Sequence, residues 1–203
     1  MGNIGIIGRA RTGKDTAGQW LIDNRGYRRV AFADPLKEAA LNLDPLIEQI
    51  DMAFLGVDER PDVRLSDLVG SYGWEESKEV PEVRRLLQEL GASIRAIDEV
   101  FWLRTALKNV TAANENGTPC VITDVRYPNE AVALKRAGFH LVYIDRPDVP
   151  HLDHESEGAL TAEDADHVIP NTTDVPTFLL LVESVADRIT DIESRRHYGR
   201  SYT

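Results

Sequence analysis

The stretch GRARTGKDT, residues 8–16, sits between an apolar run of strand length, NIGII (residues 3–7), and a segment of helical spacing, KDTAGQWLIDN (residues 14–24). A buried strand entering and a helix leaving is the setting that makes a GxxxxGK match meaningful. Gly8 and Gly13 let the backbone wrap a polyphosphate, which then lies at a helix N-terminus where amides and the helix dipole favour negative charge. Arg11, Thr12, Gly13, Lys14, Asp15 and Thr16 are therefore the candidate nucleotide-binding residues, with Lys14 reaching the β- and γ-phosphates. The residue after Lys14 is Asp15, where the common pattern has Ser or Thr on magnesium. The hydroxyl arrives one place late, on Thr16.

Bulk properties narrow the partners. The chain has 203 residues, enough for one substantial core, and is expected to form a single domain carrying mobile insertions. Its 34 acidic and 23 basic side chains give a net charge of −11, which repels a nucleic-acid backbone, so no nucleic acid is expected as partner. Anionic small molecules must then meet local clusters of Arg and Lys. The single cysteine, Cys120, can form no internal disulfide and suits a reducing compartment. No apolar stretch reaches transmembrane length, so the expectation is a cytoplasmic protein without membrane contact.

Strand-like runs NIGIIG, YRRVAF, PCVITD, HLVYID and DHVIP alternate with helical patterns starting at Gly13, Asp34, Pro81, Asp98, Pro128 and Asp174. That order predicts an α/β fold, a mostly parallel five-stranded sheet between two helical layers. Asp34 and Asp174 are expected to cap their helices, with Pro35 in the first helical position. Residues 56–81 carry turn formers and charges without a steady period, and are expected to be an insertion or loop.

On a helix over 81–97, Val83, Leu86, Leu87, Leu90, Ile94 and Ile97 share one side, a predicted core face. Arg84, Gln88, Gly91 and Arg95 share the opposite side. Two guanidiniums, an amide and a glycine gap suit a phosphate and a base. Lys37, early in the helix opened by Asp34-Pro35, could meet the same phosphate. Trp102 suits either core packing or base stacking. Asp124 and Arg126 lie just past a predicted strand end, where parallel sheets hold ligands; Asp124 is placed to order magnesium and Arg126 to face the transferred group. RPDVPHLDHESE, residues 146–157, lacks the spacing of a structural zinc site and reads instead as part of a lid over about 147–163, containing His154 and Glu157, with Arg146 directed to the phosphates.

The ending GKDT resembles the GKGT of adenylate-kinase-like enzymes, in which the Thr also stands two places after the Lys. Asp15 then either holds magnesium through water or only charges the first helical turn. Four segments, GRARTGKDT, FADPLKEA, VRRLLQELG with a downstream FW, and ITDVRYPNEA leading to DRP and HESE, together resemble the deoxynucleoside monophosphate kinases of tailed bacteriophages. DADHVIPNTTDVPTFL extends the likeness towards the C-terminus. It covers most of the chain and departs at Ala92-Ser93, where a Thr and an acidic residue are more usual.

The resemblance implies a three-layer P-loop NTPase fold of the nucleoside monophosphate kinase type, with its core at about 1–50 and 112–203 and an acceptor-binding helical region at about 34–110. It implies ATP and Mg2+ as cofactors, with Thr16, Asp15 and Asp124 around the metal. Lys14, Arg126 and Asp124 would be catalytic; Lys37, Arg84, Arg85, Gln88, Arg95, Trp102 and Arg126 would hold a deoxynucleoside monophosphate. A homodimer is compatible with it. Two alternatives stand beside this reading: another small-molecule P-loop kinase, such as one acting on dephospho-coenzyme A or phosphomevalonate, and a nucleotide-binding regulator that transfers nothing.

Overall fold

The computed structural model describes residues 2–47, 62–149 and 159–200, the side chains of 197–200 excepted. In chain order its elements are β1 (Ile4–Ile7), α1 (Lys14–Arg25), β2 (Arg28–Arg29), α2 (Asp34–Leu43), β3 (Leu46–Ile47), β4 (Val63–Arg64) and α3 (Leu65–Ser77). There follow α4 (Pro81–Ile97), α5 (Phe101–Glu115), β5 (Cys120–Ile122), α6 (Pro128–Arg136), β6 (His140–Asp145), a 3-10 turn (Ala162–Asp164), β7 (His167–Pro170) and α7 (Val175–Arg200). The chain divides into two compact units, residues 1–31 with 107–203, and residues 32–106.

In the first unit, five described strands form one sheet in the order β2-β5-β1-β6-β7, every pairing parallel. The five strand-like runs of the sequence are these five strands. Parallel neighbours need crossovers, and the intervening helices supply them. Alternation along each strand sorts the faces. Ile4 and Ile6 share a core with Val142, Ile144 and Val121, covered by Ala17 and Leu21 of α1 and by Phe178, Val182, Ala186 and Ile189 of α7. Phe178 is 1% exposed, a burial worth roughly 1.5–3 kcal/mol. On the other face a Cβ on Gly5 would stand 2.7 Å from Leu141 Cδ2 and 3.1 Å from Leu134 Cδ1, so α6 packs closely there because the strand carries no side chain. This is the three-layer α/β/α fold of P-loop kinases.

The position of β1 has a consequence for ligands. β1 lies between β5 and β6 in the sheet, and the connection from β1 runs to β2 at one edge while that from β6 runs to β7 at the other. At such a switch point the strand ends open a crevice, and the loop after β1 lies in it.

The second unit has its own core of Ala40, Ile47, Leu65, Leu68, Val80 and Val83. The short pair β3 and β4 is antiparallel, and Asp44 ties it down: its carboxylate accepts from Ser66 N at 2.9 Å, and its carbonyl from Arg64 Nη1 at 2.9 Å. The expectation of an irregular stretch over 56–81 is corrected for its described part, since α3 occupies Leu65–Ser77. Leu65 and Leu68 are buried, with Val69 and Tyr72 packed against them, an i, i+3, i+4, i+7 stripe interrupted in the sequence by charges and glycines. Gly73, at φ 78 and ψ 173, breaks the helix locally. Residues 56–61 lie outside the described part.

Two smaller expectations also change. Asp34 is the first helical residue of α2 and not its cap, which is Ala33 without a side-chain bond. Asp174 does cap, accepting from Thr177 N at 2.9 Å, and the hydrogen bonds from Thr177, that of its side chain first and that of its backbone second, hold the Asp174 carboxyl below the usual range. Ile97 was placed on the core face of α4 but is 83% exposed, because it is the last helical residue and the chain turns away at Asp98.

Candidate functional site

The loop between β1 and α1 is fixed from within. Lys14 Nζ donates to Gly8 O at 2.7 Å and to Arg9 O at 2.6 Å. The Thr12 hydroxyl, in a side chain only 1% exposed, donates to Arg9 O at 2.8 Å. Gly8, at φ 143, sits where a Cβ would be 2.8 Å from Ile144 O, and Gly13, at φ 102, where one would be 2.7 Å from Asn171 Nδ2. Both glycines are thus demanded twice, by conformation and by space. Arg11 is left-handed at φ 60 although it has a side chain, completing a tight bowl of backbone. Gly13 then serves as N-cap of α1 without a side chain, leaving the helix N-terminus open towards an anion.

The ends of the other strands join the loop within the same unit. Thr123, following β5, donates its hydroxyl to Asp15 Oδ1 at 3.0 Å. A Cβ on Gly18 would lie 2.4 Å from Thr123 Cγ2, so the bare glycine lets α1 approach the end of β5. Asp124 comes next, half-buried, with its Oδ1 sealed from solvent. Arg126 is exposed, and its backbone N–H donates to Glu130 Oε2 at 2.7 Å, beside Tyr127 N at 3.0 Å on the same oxygen. Burial pushes the Glu130 carboxyl up against the pull of those two donors. Glu130 thereby fixes the turn that carries Arg126. Arg146 follows β6 and is exposed; its carbonyl accepts from Arg9 Nη2 at 2.9 Å.

Three residues of this site carry no role in the sequence reading: Thr123, Glu130 and Asn171. The signal for Thr123 was its place directly after an apolar strand run. For Asn171 it was Pro170-Asn171 ending a strand, a position shared by many ordinary turns. His154 and Glu157, the lid candidates, lie outside the described residues, as does the centre of the segment 147–163.

The acceptor candidates other than Arg126 lie in the other unit. Arg84, Gln88 and Arg95 are all exposed on α4. Arg84 Nε donates to Lys78 O at 3.1 Å and its Nη2 meets Glu79 at 3.4 Å. Arg85 is occupied by Glu82 at 2.7 Å and Glu89 at 2.6 Å, and these carboxylates raise its already high pKa. Gly91 was expected as a gap facing the ligand. It is buried instead, where a Cβ would come 3.3 Å from Leu36 Cδ2, so its bareness serves the packing of α2 on α4. Trp102 is 8% exposed and its Nε1 donates to Gly91 O at 3.3 Å, which decides for core packing. Lys37 Nζ stands 5.6 Å from the centre of the Trp74 ring.

A glycine-built loop held by its own lysine, at the switch point of a parallel sheet, is a geometry that suits a phosphate-bearing ligand. Comparison with known proteins agrees, since the model of the deoxynucleotide monophosphate kinase family matches residues 65–179, more than half of the chain. The chain belongs to the deoxynucleotide monophosphate kinase family. A protein of Acanthamoeba polyphaga mimivirus described as "Putative deoxynucleotide monophosphate kinase" is 30% identical over 215 residues, covering 93% of this kinase and 98% of that protein. The uncharacterized protein ORF77 of Ictalurid herpesvirus 1 (strain Auburn) is 38% identical over 87 residues, 40% of this chain and 38% of its own. Among solved structures, dephospho-CoA kinase from Campylobacter jejuni is similar at 13% identity and a TM-score of 0.46, covering 95% of this chain and all of its own. The Mycobacterium tuberculosis APS kinase CysC is similar at 13% and 0.44, covering 94% and 97%. These two add nothing to the fold already read from the sheet. Among the described residues no helix is long and apolar enough to cross a membrane.

Proposed function

We propose that this kinase transfers the γ-phosphoryl group of ATP, with Mg2+, to the 5′-phosphate of a deoxynucleoside monophosphate, giving a deoxynucleoside diphosphate and ADP. The observation that carries the reading is the pair of bonds from Lys14 to the carbonyls of Gly8 and Arg9. They hold an ammonium over a bowl of backbone at a helix N-terminus, where a β- or γ-phosphate oxygen can replace a carbonyl as its acceptor. Family membership supports a deoxynucleoside monophosphate as the acceptor.

The residues fit a magnesium–nucleotide complex. The Gly13 N-cap leaves the first amides of α1 without a side-chain cap and open to a polyphosphate, and Asp15, Thr16 and Asp124 supply the hard oxygen donors that magnesium prefers. Bound there, magnesium would neutralise charge on the β- and γ-phosphates. The Thr123 hydroxyl orients Asp15, directly or through water, towards that shell.

In the transfer, a phosphate oxygen of the acceptor forms a bond to the γ-phosphorus as the bond to the β,γ-bridging oxygen breaks, and the electron pair leaves with ADP. The attacking oxygen is already anionic, so the protein needs no strong base. Its work is positioning and charge stabilisation. Lys14 and Arg126 stabilise the group in flight. Arg84, Gln88, Arg95 and Lys37 bind the acceptor, Arg146 assists at the ATP phosphates, and Arg85 and Trp102 support the helices that carry the acceptor contacts.

The test is ADP release against a panel of acceptors: deoxynucleoside monophosphates, ribonucleoside monophosphates, dephospho-coenzyme A, phosphomevalonate and none. Turnover that depends on a deoxynucleoside monophosphate is expected. Turnover indifferent to acceptor would make the protein an ATP-hydrolysing regulator.

A further inference from the structure

We propose that Asn171 is a positioning residue for ATP, holding the peptide between Thr12 and Gly13 in the orientation that turns the Gly13 amide towards the phosphates. This rests on the phosphate-loop reading above and adds a part to it. Asn171 is 9% exposed, and its side-chain Nδ2 donates to Thr12 O at 2.8 Å from the far end of the sequence. Its own backbone is held in turn, since Asn171 N donates to Asp145 O at 2.7 Å, continuing the pairing of β7 with β6 by one residue.

The logic is that of a planar unit with two ends. In a trans peptide the C=O and the following N–H point opposite ways, so a bond that fixes the Thr12 carbonyl against Asn171 turns the Gly13 N–H away from Asn171. Gly13 has the left-handed φ of 102, which a glycine leaves easily, so its conformation alone does not hold that peptide. The carbonyls of Gly8 and Arg9 are held by Lys14, and that of Arg9 also by Thr12 Oγ1. The Thr12 carbonyl is held by the Asn171 amide. If it flipped, a carbonyl would face the polyphosphate in place of an amide, replacing an attraction with a repulsion. A Cβ at Gly13 would also press on Asn171 Nδ2 at 2.7 Å, so the glycine and the asparagine fit only each other.

The experiment compares the full-length protein with Asn171→Asp and Asn171→Ala, measuring ATP binding directly by calorimetry without acceptor, then KM for each substrate and kcat, with thermal melting for the fold. Asn171→Asp keeps the size but aims a carboxylate at a carbonyl; it should weaken ATP binding by roughly 10- to 100-fold, as expected when a buried polar partner is lost and opposed. Asn171→Ala should weaken it by about 10-fold. KM for the deoxynucleotide should stay within about twofold in both, the split that separates loop positioning from general damage. On lowering the pH, Asn171→Asp should recover ATP binding relative to Asn171→Ala, because a protonated carboxyl can again donate to Thr12 O. Unchanged ATP binding in folded variants overturns the role of Asn171 while leaving the kinase reading standing, as does an equal rise in both KM values. A wild-type protein that binds no ATP overturns both. ATP binding without acceptor-dependent turnover removes only the transfer reaction.

Discussion

The loop over residues 8–16 and helix α4 are both assigned to phosphate groups in the proposed reaction, and they are built on opposite plans. In the loop, carbonyls are held by Lys14, Thr12 and Asn171, two glycines stand where no side chain fits, and Thr12 is almost fully buried. In α4, Arg84, Gln88 and Arg95 are exposed, and the polar bonds described there run to near neighbours in sequence. The loop stores its function in backbone geometry that a substitution cannot repair. The helix stores it in long side chains that can be exchanged one at a time. In the proposed reaction, ATP would then be met by a fixed cradle and the acceptor by a surface open to retuning.

The largest effect should come from the loop. Lys14→Ala removes both the ammonium proposed to stabilise the group in flight and the two bonds that hold Gly8 and Arg9, so kcat should fall by about 10²–10³-fold or more, with the melting temperature nearly unchanged. Coupled ADP release and a thermal melt measure both. Near-normal turnover would refute the assignment of the loop.

On α4 the expected loss is smaller and falls on one substrate. Arg84→Ala or Arg95→Ala should raise KM for the deoxynucleotide about 10-fold and leave KM for ATP unaltered, the mark of lost acceptor binding. Arg85→Ala is the control on the same helix, already engaged by Glu82 and Glu89, and should move either KM by less than about twofold. Arg85→Ala matching Arg84→Ala would mean that acceptor binding follows overall charge and not a stripe.

These two regions also differed in how far the sequence exposed them. The loop was legible because its requirements are local: glycine where φ is positive, lysine after it, an apolar strand before it. Strands β1, β5 and β6 were legible because central parallel strands buried on both faces read as apolar runs, whereas β2 and β7, at the sheet edges, showed through shorter ones. Helix α3 was hidden because its apolar stripe is short and Gly70 and Gly73 read as turn formers, although Leu65 and Leu68 had a core to fill. The role of Gly91 was misread because helical periodicity places a residue on a face without saying what packs there; Leu36, from another helix, takes the space. Asn171 escaped because its partner lies 159 residues away, and no local pattern reports a bond across that distance.

The smallest expected effect concerns stability, at the edge of the sheet. His167 opens β7 with its Nε2 atom buried and without a hydrogen-bond partner among the described residues. Its ring centre lies 6.0 Å from that of His140, whose Nε2 meets Glu193 Oε1 at 3.0 Å. Burial, and then the positive charge of a protonated His140, push the His167 pKa below its ordinary value of 6.5, with Arg188 acting in the same direction and Asp166 against them. For a base whose folded pKa is depressed, the unfolded chain binds the proton first as pH falls. The stability from the neutral ring is therefore fully present above 6.5 and lost as pH falls from 6.5 towards the folded value. Thermal melts across that range should show His167→Gln declining less steeply than wild type, since an amide takes up no proton. The difference between the curves reports the proton taken up by this ring together with its interaction with the neighbouring His140. Parallel curves would mean that water reaches His167 freely enough to cancel the cost of its charge.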